Sequence, residues 1–380
     1  MLCPDCESEL TKDLQDLPFC PYCQLPLQLL SGKYRILKKL EEGGFGAVYL
    51  AEHIRLNTKR VIKTLKNERK HTTDNDLAKE VHIRFDREIR LTAELSKSNE
   101  HIVRIDDVDV DEHLGNFYVM EFLEGQALVD FMEEGVPLDT ALSFHLFRQL
   151  CNVMGEAHLK GIVHRDLKPE NIFLIERKRD PYFLKLIDFG VAKSLTGTAN
   201  PNLTQGAIGT AAYMAPEQCM GETIDHRTDI YALGIMFYEL LTGYLPFDAD
   251  PGPNENLLIM RQQIQNLPEP ICERFPNLNI PEGLDQAILH SLEKKPAHRF
   301  QSAEAFWNAV KEYAPGIEEL KKSPYLGNVV NSDEPYFSTL PKPSDLPTFA
   351  IKRQKMLLWS SIGVLLITCL FLIYWYTNFL

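Results

Sequence analysis

The chain has 380 residues, of which 44% are hydrophobic and 24% charged, the composition of an ordinary folded protein. This length allows two average domains or one large domain with appendages. The net charge of −13 argues against a basic surface for nucleic acid, so no nucleic-acid partner is expected. No apolar N-terminal stretch resembles a signal peptide, and the bulk of the chain is therefore expected in the cytoplasm.

Residues 1–30 contain two C-x-x-C pairs, Cys3 with Cys6 and Cys20 with Cys23. Each pair can form a tight turn whose backbone N–H groups point at the sulfurs, and four thiolates suit a tetrahedral structural zinc ion. Two disulfides or four free thiols are the alternatives, and a cytoplasmic location disfavours disulfides. Because so short a segment cannot bury a core of its own, metal binding would supply its folding energy. We predict a zinc ribbon with a structural or interactive role.

Residues 33–313 form the large domain, which is strand-rich at first and helical later. The segments YRILKKLEEG, AVYLAEHI and KRVIKTLK alternate in polarity and carry β-branched and aromatic residues, which predicts three strands. The segment ALSFHLFRQLCNVMGEAHLKG has apolar residues at helical spacing and ends on Gly161, a helix-stop signal. The segment DIYALGIMFYELLTG is apolar nearly all round, which predicts a buried helix.

Residues 314–355 contain prolines among Ser, Asp and Gly, which favours an irregular linker. The alternative is a tail that packs on the large domain.

Residues 356–376 read MLLWSSIGVLLITCLFLIYWY, about the 20 apolar residues that a bilayer-spanning helix needs. Lys352, Arg353 and Lys355 precede the stretch, and such a positive flank faces the cytoplasm. A buried core helix is the alternative. We expect a single-pass anchor in the inner (cytoplasmic) membrane, with the N-terminus and the large domain in the cytoplasm.

The stretch KLEEGGFGAV at residues 39–48 is typical of a glycine-rich loop that lies over phosphates, with Glu41 where a first glycine is usual. Downstream, Lys63 on a predicted strand can neutralise the α- and β-phosphates of a nucleotide under the loop. Glu88, on a predicted helix, is the carboxylate that could hold this lysine in place. Taken alone, Lys63 would be better explained as a solvated strand residue.

The segment HRDLKPEN supplies a second group of candidates. Asp166 is placed to accept the proton of an attacking hydroxyl, and Lys168 to steady the charge of a transferring phosphoryl group. Asn171 is a neutral oxygen donor for a metal ion, and Asp188 of the DFG motif is a carboxylate donor for Mg²⁺. Phosphoryl transfer mainly requires positioning and charge neutralisation, which this set supplies.

In these motifs, together with MAPEQ and DIYALG, the large domain resembles a eukaryotic-type (Hanks-type) serine/threonine protein kinase of the bacterial, membrane-anchored kind. The implied fold is α+β, the bilobal protein-kinase fold with a β-rich N-lobe and a helical C-lobe. The zinc ribbon and one C-terminal transmembrane helix would be added to it. The resemblance also implies an ion pair between Glu217 and Arg299, and a bracing of the catalytic-loop backbone by Asp229.

The resemblance implies an ATP site in which Met120 is the gatekeeper, backbone groups of Glu121 and Leu123 bind adenine, and apolar side chains cover its two faces. The expected ATP-binding residues are Leu40, Glu41, Glu42, Gly43, Gly44, Phe45, Gly46, Ala47, Val48, Val61, Lys63, Met120, Glu121, Leu123 and Phe173. The expected cofactors are ATP and Mg²⁺, with Mn²⁺ as a substitute, besides the structural Zn²⁺.

Lys168 after Asp166 resembles the serine/threonine subgroup, so protein Ser/Thr hydroxyls are the expected substrates. Arg165, beside the catalytic Asp, suggests control by phosphorylation of the following loop. That loop offers Thr196, Thr198 and Thr204, of which Thr204 is favoured, although the threonines are also typical of any polar loop. A homodimer that autophosphorylates in trans is a further expectation.

Two other functions are open at this level. A pseudokinase scaffold would recruit partners through the zinc ribbon, and only Glu41 favours it. A transferase that moves AMP is the other, and the intact HRDLKPEN segment argues against it.

Overall fold

The computed structural model describes residues 3–6, 8–9, 19–43, 46–64, 89–112, 114–177, 180–188, 211–316 and 323–326. Within these ranges the chain forms a β-rich N-lobe followed by a helical C-lobe. None of the helices in the described ranges combines the length and the apolar character that a membrane crossing requires. The predicted span at 356–376 lies outside the described residues.

The N-lobe is built on five antiparallel strands in the order β1-β2-β3-β5-β4. Their bounds are β1 Tyr34–Gly43, β2 Gly46–His53, β3 Thr58–Thr64, β4 Ile105–Asp111 and β5 Gly115–Glu121. The first three are the strands predicted from their alternating patterns, which are therefore confirmed. A helix whose described part is 89–98 packs beside the sheet through Ile89, which is 1% exposed.

The two edge strands of this sheet, β1 and β4, are tied together by side chains. The Lys33 ammonium and the Tyr34 hydroxyl both donate to Asp107 on β4, at 2.9 and 3.1 Å. The Ser31 hydroxyl donates at 2.5 Å to Asp109, which lies two residues after Asp107 on β4. The sheet is therefore curled until its first and last strands meet.

Side chains alternate between the two faces of each strand, so the sheet has a cleft face toward the C-lobe and an outer face away from it. Ala47 and Tyr49 of β2 point to the outer face, where Ile62 of β3 joins them. Leu25 and Leu30, 0% and 3% exposed, cover this face together with the cysteines. The ribbon segment (residues 3–6, 8–9 and 19–30) thus forms one hydrophobic core with the N-lobe. A sheet covered on both sides explains the continuous apolar run in β5.

The C-lobe combines helices with a small three-stranded sheet, and two long helices form its centre. The helices are α1 Leu128–Phe131, α2 Thr140–Leu159, α3 Pro216–Met220, α4 Arg227–Thr242, α5 Glu255–Gln265, α6 Ile271–Arg274, α7 Glu282–Ser291 and α8 Ala303–Val310. The strands are β6 Gly125–Ala127, β7 Ile172–Arg177 and β8 Asp180–Leu186. Short 3₁₀ turns lie at Pro169–Asn171, Ala211–Tyr213, Pro276–Leu278, Pro296–His298 and Lys311–Tyr313.

Helix α2 begins and ends where its sequence indicates. The Asp139 carboxylate caps its first turn by accepting from the Leu142 N–H at 3.1 Å. At the other end Gly161 has a φ of +72°, and the Ile162 N–H donates to the Ala157 carbonyl at 2.9 Å. This is a Schellman ending, in which glycine relieves the strain of the left-handed residue. The predicted stop at Gly161 is confirmed.

Helices α2 and α4 pack through aromatic rings. The Phe147 and Phe237 rings are stacked with centroids 3.9 Å apart, and Phe144 meets Phe237 edge-on at 5.2 Å. Burying a side chain of this size stabilises the fold by about 1.5–3 kcal/mol. Helix α4 is buried on almost every side, as its sequence predicts. The pair provides a rigid base for the loop at 164–171.

Of the predicted linker at 314–355, the structure describes 314–316 and 323–326. Tyr325 packs edge-on against Phe131 and Tyr182, with centroids 6.0 and 5.7 Å away, and Leu326 is buried. The Ser323 hydroxyl donates to Asp139, at 2.7 Å. These four residues therefore pack on the C-lobe, and the other residues of the predicted linker beyond 316 lie outside the described residues.

Candidate active site

A row of side chains crosses the cleft face of the N-lobe sheet. Glu41 on β1 lies opposite Val48 on β2, Val48 lies opposite Lys63 on β3, and Lys63 lies opposite Tyr118 on β5. Residues directly opposite each other in antiparallel strands share a face. Glu41 therefore lies on the same face as Lys63, and it is exposed there.

Lys63 reaches across the cleft to the C-lobe. Its ammonium lies 2.5 Å from Asp188 Oδ2, just beyond the end of β8. Burial acts to lower the pKa of Lys63, but the negative charges of Asp188 and Glu41 and the hydrogen bond to Asp188 outweigh it, and the pKa is raised. Tyr118 is buried, which raises the pKa of its hydroxyl to about 12. Sequence reasoning missed Tyr118, because a tyrosine in an apolar strand gives no signal of a polar contact.

The partner expected for Lys63 was Glu88, which lies outside the described residues, immediately before the described helical part 89–98. Among the described residues, Lys63 contacts Asp188, the residue expected to bind a metal ion. The sequence placed both groups near a nucleotide but did not predict that they pair with each other.

The loop at 164–171 brings the three predicted catalytic and metal-binding residues of HRDLKPEN together. The Asn171 amide donates to the Asp166 carbonyl at 2.7 Å and approaches Asp166 Oδ2 at 3.4 Å. The Lys168 ammonium lies 3.7 Å from the same carboxylate oxygen. The Asp166 carboxylate is therefore flanked by an amide and by a cation.

Asp229, on the first turn of α4, holds this loop from below. Its carboxylate accepts from the His164 and Arg165 N–H groups at 2.8 and 2.9 Å. Arg165 has a φ of +66°, a conformation that costs a non-glycine residue about 1–3 kcal/mol and must be imposed by its surroundings. The predicted bracing is confirmed. The structure adds His158, whose Nε2 lies 2.8 Å from Asp229 and which sequence reasoning missed.

The predicted ion pair between Glu217 and Arg299 is also confirmed. Two guanidinium nitrogens lie 2.8 Å from the two carboxylate oxygens, and both side chains are almost fully buried. Such a forked arrangement is the strongest geometry for an arginine–carboxylate pair. The ion pair fixes α3, which also carries Gln218, to the segment that contains Arg299.

The apolar residues predicted to bind adenine lie on strands of both lobes and on the segment that joins them. Met120 is opposite Val61 in the β3–β5 pair and 8% exposed, and Leu123 packs against the same small cluster. Leu40 is 49% exposed on β1, and Phe173 is half-buried on β7. Val61 lies two residues before Lys63 on β3, so the two side chains share a face of the sheet. The tip residues Gly44 and Phe45 lie outside the described residues.

Glu121, the last residue of β5, links the N-lobe sheet to the C-lobe. Its N–H donates to the Arg104 carbonyl at 3.0 Å, while its carboxylate lies 2.5 Å from the Lys185 ammonium on β8. Lys185 is 3% exposed, so this contact is buried. Sequence reasoning missed it, because it joins residues that are far apart in the chain.

The four cysteines of the ribbon segment converge. Cys3 Sγ lies 3.6 Å from Cys23 Sγ, Cys6 Sγ lies 3.8 Å from Cys20 Sγ, and all four sulfurs lie within 4.8 Å of one another. All four are free thiols, not disulfides. Burial raises the pKa of the Cys23 thiol to about 12, whereas a hydrogen bond with Ser8 lowers that of Cys6 to about 6. The four sulfurs are close enough to one another to bind a single metal ion.

The activation-loop threonines Thr196, Thr198 and Thr204 lie outside the described residues.

Comparison with known proteins matches residues 34–311 to the family model described as protein kinase domain. The chain is 39% identical over 281 residues to the serine/threonine-protein kinase Pkn1 of Myxococcus xanthus, covering 74% of this chain and 38% of that one. It is 34% identical over 275 residues to the serine/threonine-protein kinase PrkC of Bacillus subtilis, covering 72% and 39%. The chain thus spans well under half the length of these two relatives.

Among solved structures, the kinase domain of Mycobacterium tuberculosis PknI, crystallised as a double mutant, is similar in fold. The alignment has a TM-score of 0.55 and 25% sequence identity, and it covers 76% of this chain and all of that one. The two-lobed arrangement described above is therefore found in a protein of related sequence.

Proposed function

Because the chain belongs to the protein kinase family, we propose that it is a serine/threonine protein kinase that transfers the γ-phosphate of Mg-ATP to protein hydroxyls. The observation that carries this proposal is the meeting of Lys63 with Asp188 in the cleft. In the loop at 164–171, Asp166 lies in contact with Lys168 and Asn171. The names of the relatives, as serine/threonine kinases, support the same activity.

We assign the reaction steps to the side chains of the loop at 164–171. The Asp166 carboxylate orients the attacking hydroxyl and accepts its proton. Lys168, 3.7 Å from that carboxylate, neutralises charge on the phosphoryl group as it transfers. The hydrogen bond that the Asn171 amide donates to the Asp166 carbonyl holds the catalytic base, Asp166, in position. Most of the catalytic effect is expected from this positioning.

Asn171 and Asp188 offer the oxygen donors that suit Mg²⁺, or Mn²⁺ in its place. These two side chains would hold the ion, whose positive charge would neutralise charge on the nucleotide phosphates. Lys63 would hold the α- and β-phosphates, with Glu88 as its second carboxylate partner.

We assign adenine to the pocket bordered by Leu40, Val48, Val61, Met120 and Phe173. The N–H of Glu121 is already used within the sheet, so its carbonyl, together with the Leu123 backbone, is the group assigned to the base. The glycine-rich segment, Glu41 to Val48, would cover the phosphates. Its cleft-face members, Glu41 and Val48, lie in the row that leads to Lys63.

The four cysteines are assigned to a structural zinc ion. With zinc–sulfur distances of about 2.3 Å, a tetrahedral site has sulfurs about 3.8 Å apart. The separations of 3.6 and 3.8 Å in the thiol cluster fit this value closely. Four thiolates leave no open coordination position, so the ion would have no catalytic role.

We further propose that residues 356–376 anchor the protein in the cytoplasmic membrane as a single span, with the kinase in the cytoplasm. The sequence pattern of an apolar stretch after a basic flank supports this. Phosphorylation of the loop at Thr204, Thr198 or Thr196, in trans within a homodimer, is the proposed activation step. A phosphate there would add a negative charge that the Arg165 guanidinium can bind.

The activity is tested with the full chain, purified in detergent and incubated with Mg-ATP and a generic Ser/Thr protein substrate. We expect phosphoserine and phosphothreonine but no phosphotyrosine, and Asp166→Asn should abolish the incorporation. Equal labelling in the wild type and the Asp166→Asn variant would refute the kinase assignment. A wild type that binds ATP but transfers nothing would instead support the pseudokinase scaffold.

A further inference from the structure

We infer that Gln218, on α3, is a positioning residue for the catalytic base Asp166. This inference rests on the proposed kinase activity. The Gln218 amide nitrogen donates to the Arg165 carbonyl at 2.8 Å, and its amide oxygen accepts from the Ala215 N–H at 3.0 Å. One side chain therefore joins the catalytic loop to the segment in front of α3.

The carbonyl that Gln218 holds belongs to the peptide group between Arg165 and Asp166. The other side of Arg165 is fixed by Asp229, which accepts from its N–H at 2.9 Å. Arg165 keeps a φ of +66°, so this peptide would relax toward an ordinary conformation unless both ends were held. Gln218 holds the carbonyl of Arg165 and Asp229 holds its N–H, and together they set the direction in which Asp166 points.

The segment that Gln218 joins to the loop also faces Asp166. Tyr213 and Met214 line a small cavity together with Asp166 and Gln218. The neighbouring Glu217 is locked to Arg299, so Gln218 is mounted on a fixed helix. A shift of the 213–215 segment would be passed through the amide of Gln218 to the catalytic base.

The test is Gln218→Glu, a change of nearly equal shape. The carboxylate can still accept from Ala215 N–H, but it has no proton to donate to the Arg165 carbonyl. We expect kcat to fall about tenfold or more while the ATP KM stays within about twofold, because a misplaced catalytic group costs rate and not nucleotide affinity. Gln218→Met, which removes both bonds, should lose at least as much.

Gln286→Glu is the matched control, because Gln286 is exposed on α7 and donates its amide to Glu282 at 3.0 Å. It should leave kcat unchanged. Unchanged kcat in Gln218→Glu, in a wild type that is active, would overturn this inference and leave the kinase assignment intact. A fall in kcat that is matched by a loss of thermal stability and a rise in ATP KM would overturn it too, since that result indicates general unfolding.

A second inference comes from the outer face of the N-lobe. We propose that metal bound by the ribbon segment holds Ala47, at the base of the glycine-rich loop, in place and so raises the affinity for ATP. Ala47 immediately follows the loop glycine Gly46 and lies in the same buried cluster as Cys3 and Cys20. Its N–H and carbonyl both bond to the Thr64 hydroxyl, at 3.1 and 3.2 Å. The base of the loop is thus held between β3 and the ribbon segment.

The next residue, Val48, points to the cleft face, where it lies opposite Lys63. Movement of Ala47 on the outer face would therefore also move Val48, which borders the proposed nucleotide pocket. Leu25 and Leu30 of the ribbon segment are buried in the cluster that includes the N-lobe residues, and without a metal ion the four thiols would have no common bond to hold the segment folded. Loss of metal should release the segment and uncover Tyr49.

The test measures zinc content, nucleotide affinity and backbone exchange on the full chain before and after chelation. A fluorescent ATP analogue should bind about fivefold or more weakly after zinc removal, within the range of ordinary coupling between sites. Amide exchange at Ala47 to Tyr49 should accelerate, and readdition of zinc should reverse both effects.

Cys6→Ser, at the exposed cysteine of the cluster, should reproduce the chelated state, whereas Cys272→Ser on the C-lobe should not. Zinc loss with unchanged nucleotide affinity and unchanged exchange would overturn the coupling. A wild type that contains no zinc would overturn the metal assignment with it. Both readouts are independent of phosphoryl transfer, so an inactive but nucleotide-binding protein would still give a decisive result.

Discussion

Lys63 of the N-lobe and Asp188 of the C-lobe form an ion pair across the cleft, with 2.5 Å between the ammonium and the nearer carboxylate oxygen. Neither side chain is fully buried, at 25% and 30% exposure, so solvent and a ligand can both reach the pair. The contact keeps two opposite charges ready at the place proposed for the nucleotide phosphates. When nucleotide and metal bind, the Lys63 ammonium would contact negative phosphate and the Asp188 carboxylate would contact the cation.

Lys63→Met should lower kcat/KM about 100-fold or more, because a preorganised charge in a partly buried site is lost. The measurement is steady-state phosphorylation of a protein substrate. Lys59→Met is the control, since Lys59 is exposed on the same strand and lies over the Phe122 ring. Similar losses in both variants would show that the effect is not specific to the cleft.

Glu41→Gly should lower the ATP KM by roughly twofold to fivefold, the usual range for an exposed charge interaction. The carboxylate shares the cleft face with Lys63 and acts on its charge, so it competes with phosphates for the same cation. We expect little change in kcat. The control is Glu52→Gln, near the end of β2, which should leave both constants unchanged. A large rise in kcat for Glu41→Gly would mean that Glu41 restrains the chemical step.

Arg299→Met should lower the free energy of unfolding by about 3–5 kcal/mol, because Glu217 would be left buried without its partner. Urea denaturation followed by tryptophan fluorescence measures this change. Arg261→Met removes an exposed arginine of α5 that bonds to Gln265 and should cost little. Equal stability of the two variants would contradict the structural role of the pair.

The stability of the protein should fall as the pH drops below about 6.5, in part because of His101. Burial lowers the pKa of this imidazole, which stacks on Phe183 and bonds to the Leu184 carbonyl at 2.8 Å. A histidine whose pKa is lower in the folded state contributes its full stability above the unfolded pKa. That contribution is lost as the pH falls from there toward the folded pKa.

In thermal melts at pH 7.5 and pH 5.5, His101→Gln should therefore show a smaller difference in Tm than the wild type. His298→Gln, at an exposed histidine, should keep the wild-type difference. An undiminished acid loss in His101→Gln would assign the effect to other groups.

Much of the fold could be predicted because its signals are local. The alternation in β1 to β3, the apolar circumference of α4 and the stop at Gly161 each lie within one short window of sequence. The convergence of Asp166 with Asn171 follows from their closeness in the chain, and that of the four cysteines from the two pairs in which they occur.

The features that could not be predicted join segments that are distant in the chain. Nothing in the pattern around Lys63 indicates that Asp188 will meet it, and nothing in APEQ indicates that Gln218 reaches Arg165. The covering of the outer face by Leu25 has the same character, since an apolar residue does not specify its neighbour. These contacts depend on tertiary packing, which a single sequence does not encode in readable periodicity.

The joining of β1 to β4 through Asp107 has a consequence for how copies of the protein can associate. An open sheet edge offers unpaired N–H and carbonyl groups to a strand of another molecule. Here the ends of both edge strands are drawn toward each other, with Lys33 and Asp107 between them and Asp109 alongside. Strand-to-strand addition at this end would have to break those contacts and bring a new chain beside buried or charged groups. Any homodimer through the N-lobe should therefore use side-chain surfaces, not a continuous intermolecular sheet.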